Sequence, residues 1–244
     1  MLFELADPAQ IVSVTSLSRN EELSHFFELA QKLPINRGLA EEIIAHKPDL
    51  ILTGSYTATG TTALLSRLGY EVMTFQPALT LAEFRSAFLR LASAIGKTNK
   101  AVGLLSQMDR DIASINRRSG PDRPSAIIYR PNGFSPGRRS LGNEMLKAAG
   151  VLNLAEEFDI ELGGFVPLEQ LIASAPDIII FDDRTPRFPA LADMILSHPA
   201  LKRDGTMRGF GLQSRRISIA EKYWACGGTF IASAATRLAA VATQ

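Results

Sequence analysis

The 244-residue sequence predicts an α/β protein of two similar lobes built on parallel sheets, and three observations carry that prediction. The first is an internal repeat. Glu41-Glu42-Ile43-Ile44-Ala45-His46-Lys47-Pro48-Asp49-Leu50-Ile51-Leu52 recurs 169 − 41 = 128 residues later as Glu169-Gln170-Leu171-Ile172-Ala173-Ser174-Ala175-Pro176-Asp177-Ile178-Ile179-Ile180. Each copy reads as a short amphipathic helix, stopped by proline, that feeds an apolar run of the kind found in buried parallel strands. The second is helix-strand alternation around each copy, the pattern of parallel sheets with helices on both faces. The third is a stretch between the copies, from Leu81 to about Arg118, with apolar residues at helical spacing. Two copies specify two lobes and not a solenoid, which needs at least three repeats.

Taken in order, Met1-Leu2-Phe3-Glu4-Leu5 reads as the last turn of a helix that Asp7-Pro8 breaks, and Gln10-Ile11-Val12-Ser13-Val14-Thr15 reads as a strand. After the first repeat copy, residues 61–68 are helical, Gly69 caps them, and residues 71–75 form the next strand. In the connector, Phe84, Phe88, Leu91, Ala92 and Ile95, then Ala101, Leu104, Leu105, Met108, Ile112 and Ile115, mark one face of each of two helices that Gly96 separates. The second, near residues 99–118, would measure roughly 30 Å at 1.5 Å per residue. Such a helix is stiffer than a loop, so hinge motion between the lobes is expected to be small. Ser119-Gly120-Pro121-Asp122 then leads into a strand at 125–129, a helix at 142–149 capped by Gly150, the second repeat copy, a helix at 190–197 and a final helix near 229–241. The expected organisation is an N-terminal α/β lobe over 1–80, connecting helices over 81–120 and a C-terminal α/β lobe over 121–244. Both lobes are Rossmann-like, joined by a long α-helix.

Bulk properties narrow the function. With 46% hydrophobic and 21% charged residues the chain is an ordinary globular sequence. Its 26 Lys plus Arg against 25 Asp plus Glu give a net charge of +1, which lacks the basic field that grips nucleic-acid phosphates. Cys226 is the single cysteine, so neither an internal disulfide nor a thiolate-rich zinc cluster can form. The longest apolar runs, 48–54 and 176–181, fall far short of the roughly 20 residues of a membrane-spanning helix. Met1 to Leu5 lacks the basic start, apolar core and small-residue cleavage site of a secretory signal.

Together these residues resemble a known family: periplasmic solute-binding proteins with one helical connector, which deliver iron-siderophores, haem or cobalamin to ABC importers. The likeness rests on Glu41…Lys47-Pro48-Asp49-Leu50-Ile51, Leu68-Gly69-Tyr70-Glu71-Val72, Glu169…Pro176-Asp177-Ile178-Ile179 and the connector, and it spans the whole chain. It implies a periplasmic monomer that captures a metal-chelate ligand in the cleft between its lobes, without catalytic residues, cofactor or metal site of its own. It implies that Glu41 and Glu169, acids at the start of the helix before each Pro-Asp strand, dock into arginine pockets of the inner-membrane permease. Helix N-terminal acids favoured by the macrodipole are the plainer alternative. The family opens with a signal, a first strand and a helix leading into an Ala-Asp-Pro-like turn, here Ala6-Asp7-Pro8. The resemblance therefore implies that these parts are missing from this sequence, leaving the N-terminal lobe without its first strand. A cytoplasmic form that never had them is the alternative. A former partner for Cys226 in the missing segment is a further hypothesis, which a free thiol in the full-length exported product would refute.

Ligands of open α/β sheets bind at the carboxyl ends of strands, so the loops there supply candidates. Gly54-Ser55-Tyr56-Thr57-Ala58-Thr59-Gly60-Thr61-Thr62 opens a helix, and its N–H groups and hydroxyls suit a carboxylate or phosphate. Tyr56 there suits stacking on, or ligating, a chelate, with Thr57 beside it. The loop has no Walker lysine. In the second half, Tyr129-Arg130-Pro131-Asn132-Gly133-Phe134 follows a strand, with Arg138 and Arg139 close behind; arginine forks pair bidentately with carboxylates. Arg37, in Asn36-Arg37-Gly38, occupies a place where the family also contacts ligand. Tyr223 and Trp224 precede Gly227-Gly228, where a Trp can wall a planar ligand or simply pack the lobe. His25, His46 and His198 read as helical and far from the strand ends, which argues against a three-histidine metal site. Asp182-Asp183 is expected to pair with Arg184 instead of holding a cation.

Two other functions remain open on sequence alone. One is a two-lobed enzyme of the glycosyltransferase or chelatase kind, which would call for a Gly-rich phosphate fingerprint or a histidine with a carboxylate at a cleft; the sequence has no Gly-x-Gly-x-x-Gly, no nucleophile elbow and no metal-binding His pair. The other is a cytoplasmic sensor reusing the fold.

Overall fold

The computed structural model describes residues 1–57, 59–115, 123–181 and 214–243. Ala58, Ser119 to Asp122, Arg118, the Asp182-Asp183-Arg184 group, the helix expected at 190–197 and His198 lie outside the described residues. The chain divides into two compact units. One comprises Met1–Ala78, Ala82–Gly103 and Cys226–Gly228, the other Leu79–Leu81, Leu104–Ala225 and Thr229–Gln244.

In the first unit, α1 (Leu2–Leu5) ends at the expected Asp7-Pro8 turn. The strand expected over 10–15 shrinks to β1 (Val14–Thr15). The physical reason is local: Asp7 N–H donates to the Gln10 carboxamide oxygen at 3.0 Å and Gln10 N–H to the Asp7 carbonyl at 2.9 Å, folding residues 8–10 into a 3₁₀ turn. β1 pairs in parallel with β2 (Ile35–Asn36). After α2 (Phe27–Ala30) and α3 (Ala40–Ile44), β3 (Leu50–Gly54) runs parallel to β4 (Glu71–Phe75) across α4 (Thr59–Arg67). The two strand pairs, both parallel as expected, form separate two-stranded sheets among the described residues. Each has its own core: Ala6, Ile11, Val14 and Ala30 for one, Ala40, Ile51 and Leu65 for the other.

The connector forms two helices parted at Gly96, the second ending at Ala113, short of the expected 99–118. α5 (Leu81–Ala94) buries Phe84, Phe88, Leu91 and Ala92 on one stripe. Gly96 then takes φ +68°, a left-handed value that glycine adopts without a Cβ clash, while Lys97 N–H closes the helix end onto the Ala92 carbonyl at 2.7 Å. α6 (Thr98–Ala113) follows with Ala101, Leu105 and Met108 buried at helical spacing. At its start, Lys97 Nζ reaches the Asp7 carboxylate at 2.5 Å and holds that carboxyl below its ordinary pKa.

The second unit has one four-stranded parallel sheet in the order β10-β9-β5-β7, from β5 (Ser125–Ile128), β7 (Leu152–Asn153), β9 (Ile178–Phe181) and β10 (Arg215–Ser218). All four residues of β9 are buried, as an uninterrupted apolar run requires of a central parallel strand. Each such side chain contributes roughly 1.5–3 kcal/mol on leaving water. α7 (Leu141–Ala148) is capped by the Ser140 hydroxyl, which accepts from Asn143 N–H at 3.1 Å. β6 (Phe134–Pro136) and β8 (Gly163–Phe165) add an antiparallel ribbon that no alternation in the sequence announces. α8 (Leu168–Ser174) leads into β9, and α9 (Ile231–Ala242) ends the chain's described part.

The repeat extends to backbone detail. Lys47 and Ala175, equivalent across the 128-residue offset, both take left-handed φ, 48° and 43°, directly before Pro48 and Pro176. A residue before proline is driven out of the right-handed helical region, so each helix ends there. In the second copy, the Pro-Asp aspartate then aligns the sheet. Asp177 accepts from Ser125 N–H at 2.8 Å and from its hydroxyl at 3.0 Å, and its carbonyl accepts from Arg215 N–H at 2.8 Å. One residue thus fixes where β5, β9 and β10 begin.

Candidate functional site

Because every neighbouring pair in the second unit's main sheet is parallel, the carboxyl ends of β5, β9 and β10 share one edge. Arg130 leaves that edge two residues after β5. Its two terminal guanidinium nitrogens donate to the two carboxylate oxygens of Glu221, a bidentate pair with side chains only 18% and 13% exposed. The guanidinium also lies 5.8 Å from the Trp224 ring centroid. Its Nε–H is buried with no acceptor among the described residues. Glu221 lies in a 3₁₀ turn, residues 221–223, just past β10.

The loop after Arg130 is tightly built. Asn132 is exposed at φ 60°, and Gly133 follows at φ 76°. A Cβ on Gly133 would lie 2.6 Å from the Val166 carbonyl and 3.1 Å from the Tyr129 hydroxyl, so only glycine fits. Arg130 N–H donates to the Phe134 carbonyl and Val166 N–H to the Gly133 carbonyl, both at 2.9 Å. Tyr129 is fully buried and donates its hydroxyl to the Val166 carbonyl at 3.1 Å. Burial, with the negative charge of Glu169, pushes its phenol up to about 12. Phe134 meets Phe165 edge-on at 5.7 Å, leaving Phe165 65% exposed.

Arg138 and Arg139 take other partners. Arg138 pairs with Glu161 and, at 3.5 Å, with Asp159, while Arg139 lies 3.9 Å from Glu161; both arginines are about half exposed. Trp224 is a packing residue more than an open wall: it is 4% exposed and its indole N–H reaches the Ile219 carbonyl at 3.4 Å. Tyr223 is half-buried, edge-on to Phe230 at 6.4 Å.

In the first unit, the carboxyl end of β3 carries Tyr56 at 90% exposure. The Thr57 hydroxyl is occupied locally, accepting from Gly54 N–H at 3.1 Å, and Thr57 N–H donates to the Gly54 carbonyl at 2.9 Å. This turn holds Tyr56 out from the strand end. Arg37, after β2, is engaged by Glu42: its N–H donates to the carboxylate at 2.5 Å and its guanidinium lies 3.5 Å away. Glu41 is exposed in the first turn of α3 and Glu169 in that of α8. His25 and His46 lie in turns flanking α2 and α3, not within helices. Among the described residues, no three His, Cys, Asp or Glu side chains gather as a metal site.

Comparison with known proteins decides the family. The family model for periplasmic binding proteins matches residues 1–204, well over half of the chain.

The chain belongs to the periplasmic binding protein family.

Solved periplasmic binding proteins share its fold along nearly their whole length. A periplasmic haem-binding protein from Roseiflexus sp. RS-1, in apo form, is 23% identical, with 100% of this chain and 94% of that chain covered at a TM-score of 0.78. The periplasmic haem-binding protein HutB of Vibrio cholerae is 15% identical, with 96% and 90% covered and a TM-score of 0.74. The periplasmic vitamin B12-binding protein BtuF of Vibrio cholerae is 15% identical, with 95% and 88% covered and a TM-score of 0.63. At these identities the likeness is one of fold. A search of curated proteins gave no match.

Within this periplasmic binding protein, the structure brings Arg130 and Trp224 together around Glu221, a residue the sequence did not single out. Glu221 lies 91 residues from Arg130 and carries no local motif. Tyr129, at the head of the candidate loop, is instead a fully buried core residue.

Proposed function

We propose that this chain is the solute-capture component of an ABC importer, acting in the periplasm on a metal chelate of the porphyrin, corrinoid or ferric-siderophore class and leaving it chemically unchanged. The observation that carries this reading, given the family, is Tyr56. An aromatic side chain 90% exposed at the carboxyl end of a parallel strand has no packing role, while its ring can stack on a planar chelate and its oxygen can ligate a hard ferric ion. Thr57, Asn132, Phe134 and Tyr223 supply further polar and aromatic contacts. Arg37, Arg138 and Arg139 reach ligand carboxylates only by giving up Glu42 or Glu161. Glu41 and Glu169, exposed acids in equivalent first turns, are assigned to the inner-membrane permease, where paired charges set orientation more than affinity.

A thermal-shift panel of haemin, cobalamins and ferric siderophores tests the reading. A bound chelate raises the melting temperature because it binds only the native state. Tyr56→Ala should abolish the shift and leave the unliganded melting temperature within about 1 °C, since so exposed a side chain contributes little to folding. No shift from any chelate would refute the proposal.

A further inference from the structure

We propose that Glu221 is a selectivity residue: by neutralising Arg130 it withholds that arginine from ligand carboxylates, so Arg130 does not favour acidic chelates over neutral ones. The inference rests on the capture reading above. An arginine in a strand-end loop, as the sequence presents Arg130, would ordinarily be taken as a carboxylate anchor. Here both terminal nitrogens are already committed to both oxygens of Glu221. The competing carboxylate belongs to the same chain and is held at high effective concentration by the turn at 221–223. Side chains 18% and 13% exposed leave little water to ease an exchange. A ligand carboxylate arriving here therefore meets a pair of zero net charge and is repelled by Glu221 as strongly as it is drawn to Arg130. The remaining donor, Nε–H, is itself buried, so the pair presents no free donor that would favour an acid over an ester or amide.

The test compares two probes that differ only in their carboxylates, haemin and haemin dimethyl ester, by spectroscopic titration of the wild type, Glu221→Gln, Arg130→Gln and the double variant. The wild type should bind acid and ester within about threefold of each other. Glu221→Gln frees the guanidinium and should shift the ratio about tenfold toward the acid, the size of one charge-assisted hydrogen bond. Arg130→Gln leaves Glu221 alone and should shift it about tenfold toward the ester. The double variant, with a neutral pair, should return to the wild-type ratio, and it decides the matter even where a single variant fails to fold. A wild type that prefers the acid at least tenfold, with the preference lost in the double variant, overturns the proposal, because Arg130 would then read carboxylates despite Glu221. If the chain binds another chelate class and no porphyrin, the same pair is made by amidating that chelate's carboxylates. A wild type that binds no chelate refutes the capture reading, and this inference with it, before any variant is compared.

Discussion

Replacing Gly137 by alanine should destabilise the second unit more than the loss of most exposed side chains would. A Cβ at this position would lie 2.3 Å from the Ile160 carbonyl oxygen and 2.6 Å from that of Glu161. Ordinary van der Waals contact begins at 3.4 Å, so the shortfalls are 3.4 − 2.3 = 1.1 Å and 3.4 − 2.6 = 0.8 Å. Both obstacles are backbone, and neither can rotate away. The φ of Gly137 is not in the left-handed region, so the cost is steric and not conformational. Moving the segments apart stretches three hydrogen bonds: Gly137 N–H to Leu162 O at 3.0 Å, Arg138 N–H to Ile160 O at 3.0 Å and Arg139 N–H to Glu161 O at 2.8 Å. Overpacking together with partial loss of these bonds amounts to about 3 kcal/mol. For a chain of this length that is a melting temperature roughly 6–12 °C lower. Circular dichroism melts and urea titrations measure it, with Gly60→Ala as the control. Nothing lies within 4 Å of a Cβ on Gly60, and alanine in α4 should gain roughly 0.5–1 kcal/mol. A Gly137→Ala midpoint within about 0.5 kcal/mol of the wild type would refute the steric argument.

Other outcomes follow from the same contacts. Tyr129→Phe leaves the Val166 carbonyl short of a donor and should cost about 1 kcal/mol at neutral pH, read from the urea midpoint. The Tyr129 phenol is raised from 10.0 to about 12, so the folded state holds its proton longer than the unfolded chain does. Its stabilisation is complete below pH 10 and is lost as pH rises toward 12, and wild-type stability should fall across that window more steeply than that of Tyr129→Phe. Parallel curves would contradict the assignment. Glu169→Gln removes a charge that helps raise this phenol, so the tyrosinate absorbance of Tyr129 should appear at lower pH. Glu41→Gln and Glu169→Gln should abolish chelate uptake in cells while leaving chelate affinity within twofold; unchanged uptake counts against the docking assignment. Ala175→Gly relieves a left-handed φ of 43° and should stabilise by about 1 kcal/mol, with no change in ligand binding.

The sequence by itself determined what depends on neighbours along the chain. Proline at 48 and 176 ended the repeat helices, Gly69, Gly96 and Gly150 terminated three more with positive φ, and the apolar run at 178–181 became a wholly buried strand. Each is a short-range constraint on backbone angles or on apolar periodicity, and each is written in consecutive residues. The strand expected over 10–15 was shortened to Val14–Thr15 for the same kind of reason, because a four-residue hydrogen-bonded turn around Pro8 outweighed the apolar pattern. Tertiary structure alone decided which side chains are available. Sequence places Arg130 and Trp224 at strand ends but cannot show that Glu221 occupies the first or that the second is 4% exposed, since both outcomes depend on which chain segments share the β5-β9-β10 edge. The same holds for Gly137, whose need to be glycine comes from carbonyls more than twenty residues away. Tyr56 differs from these because no described residue packs over it, and its exposure leaves it as open in the fold as the strand-end rule had placed it.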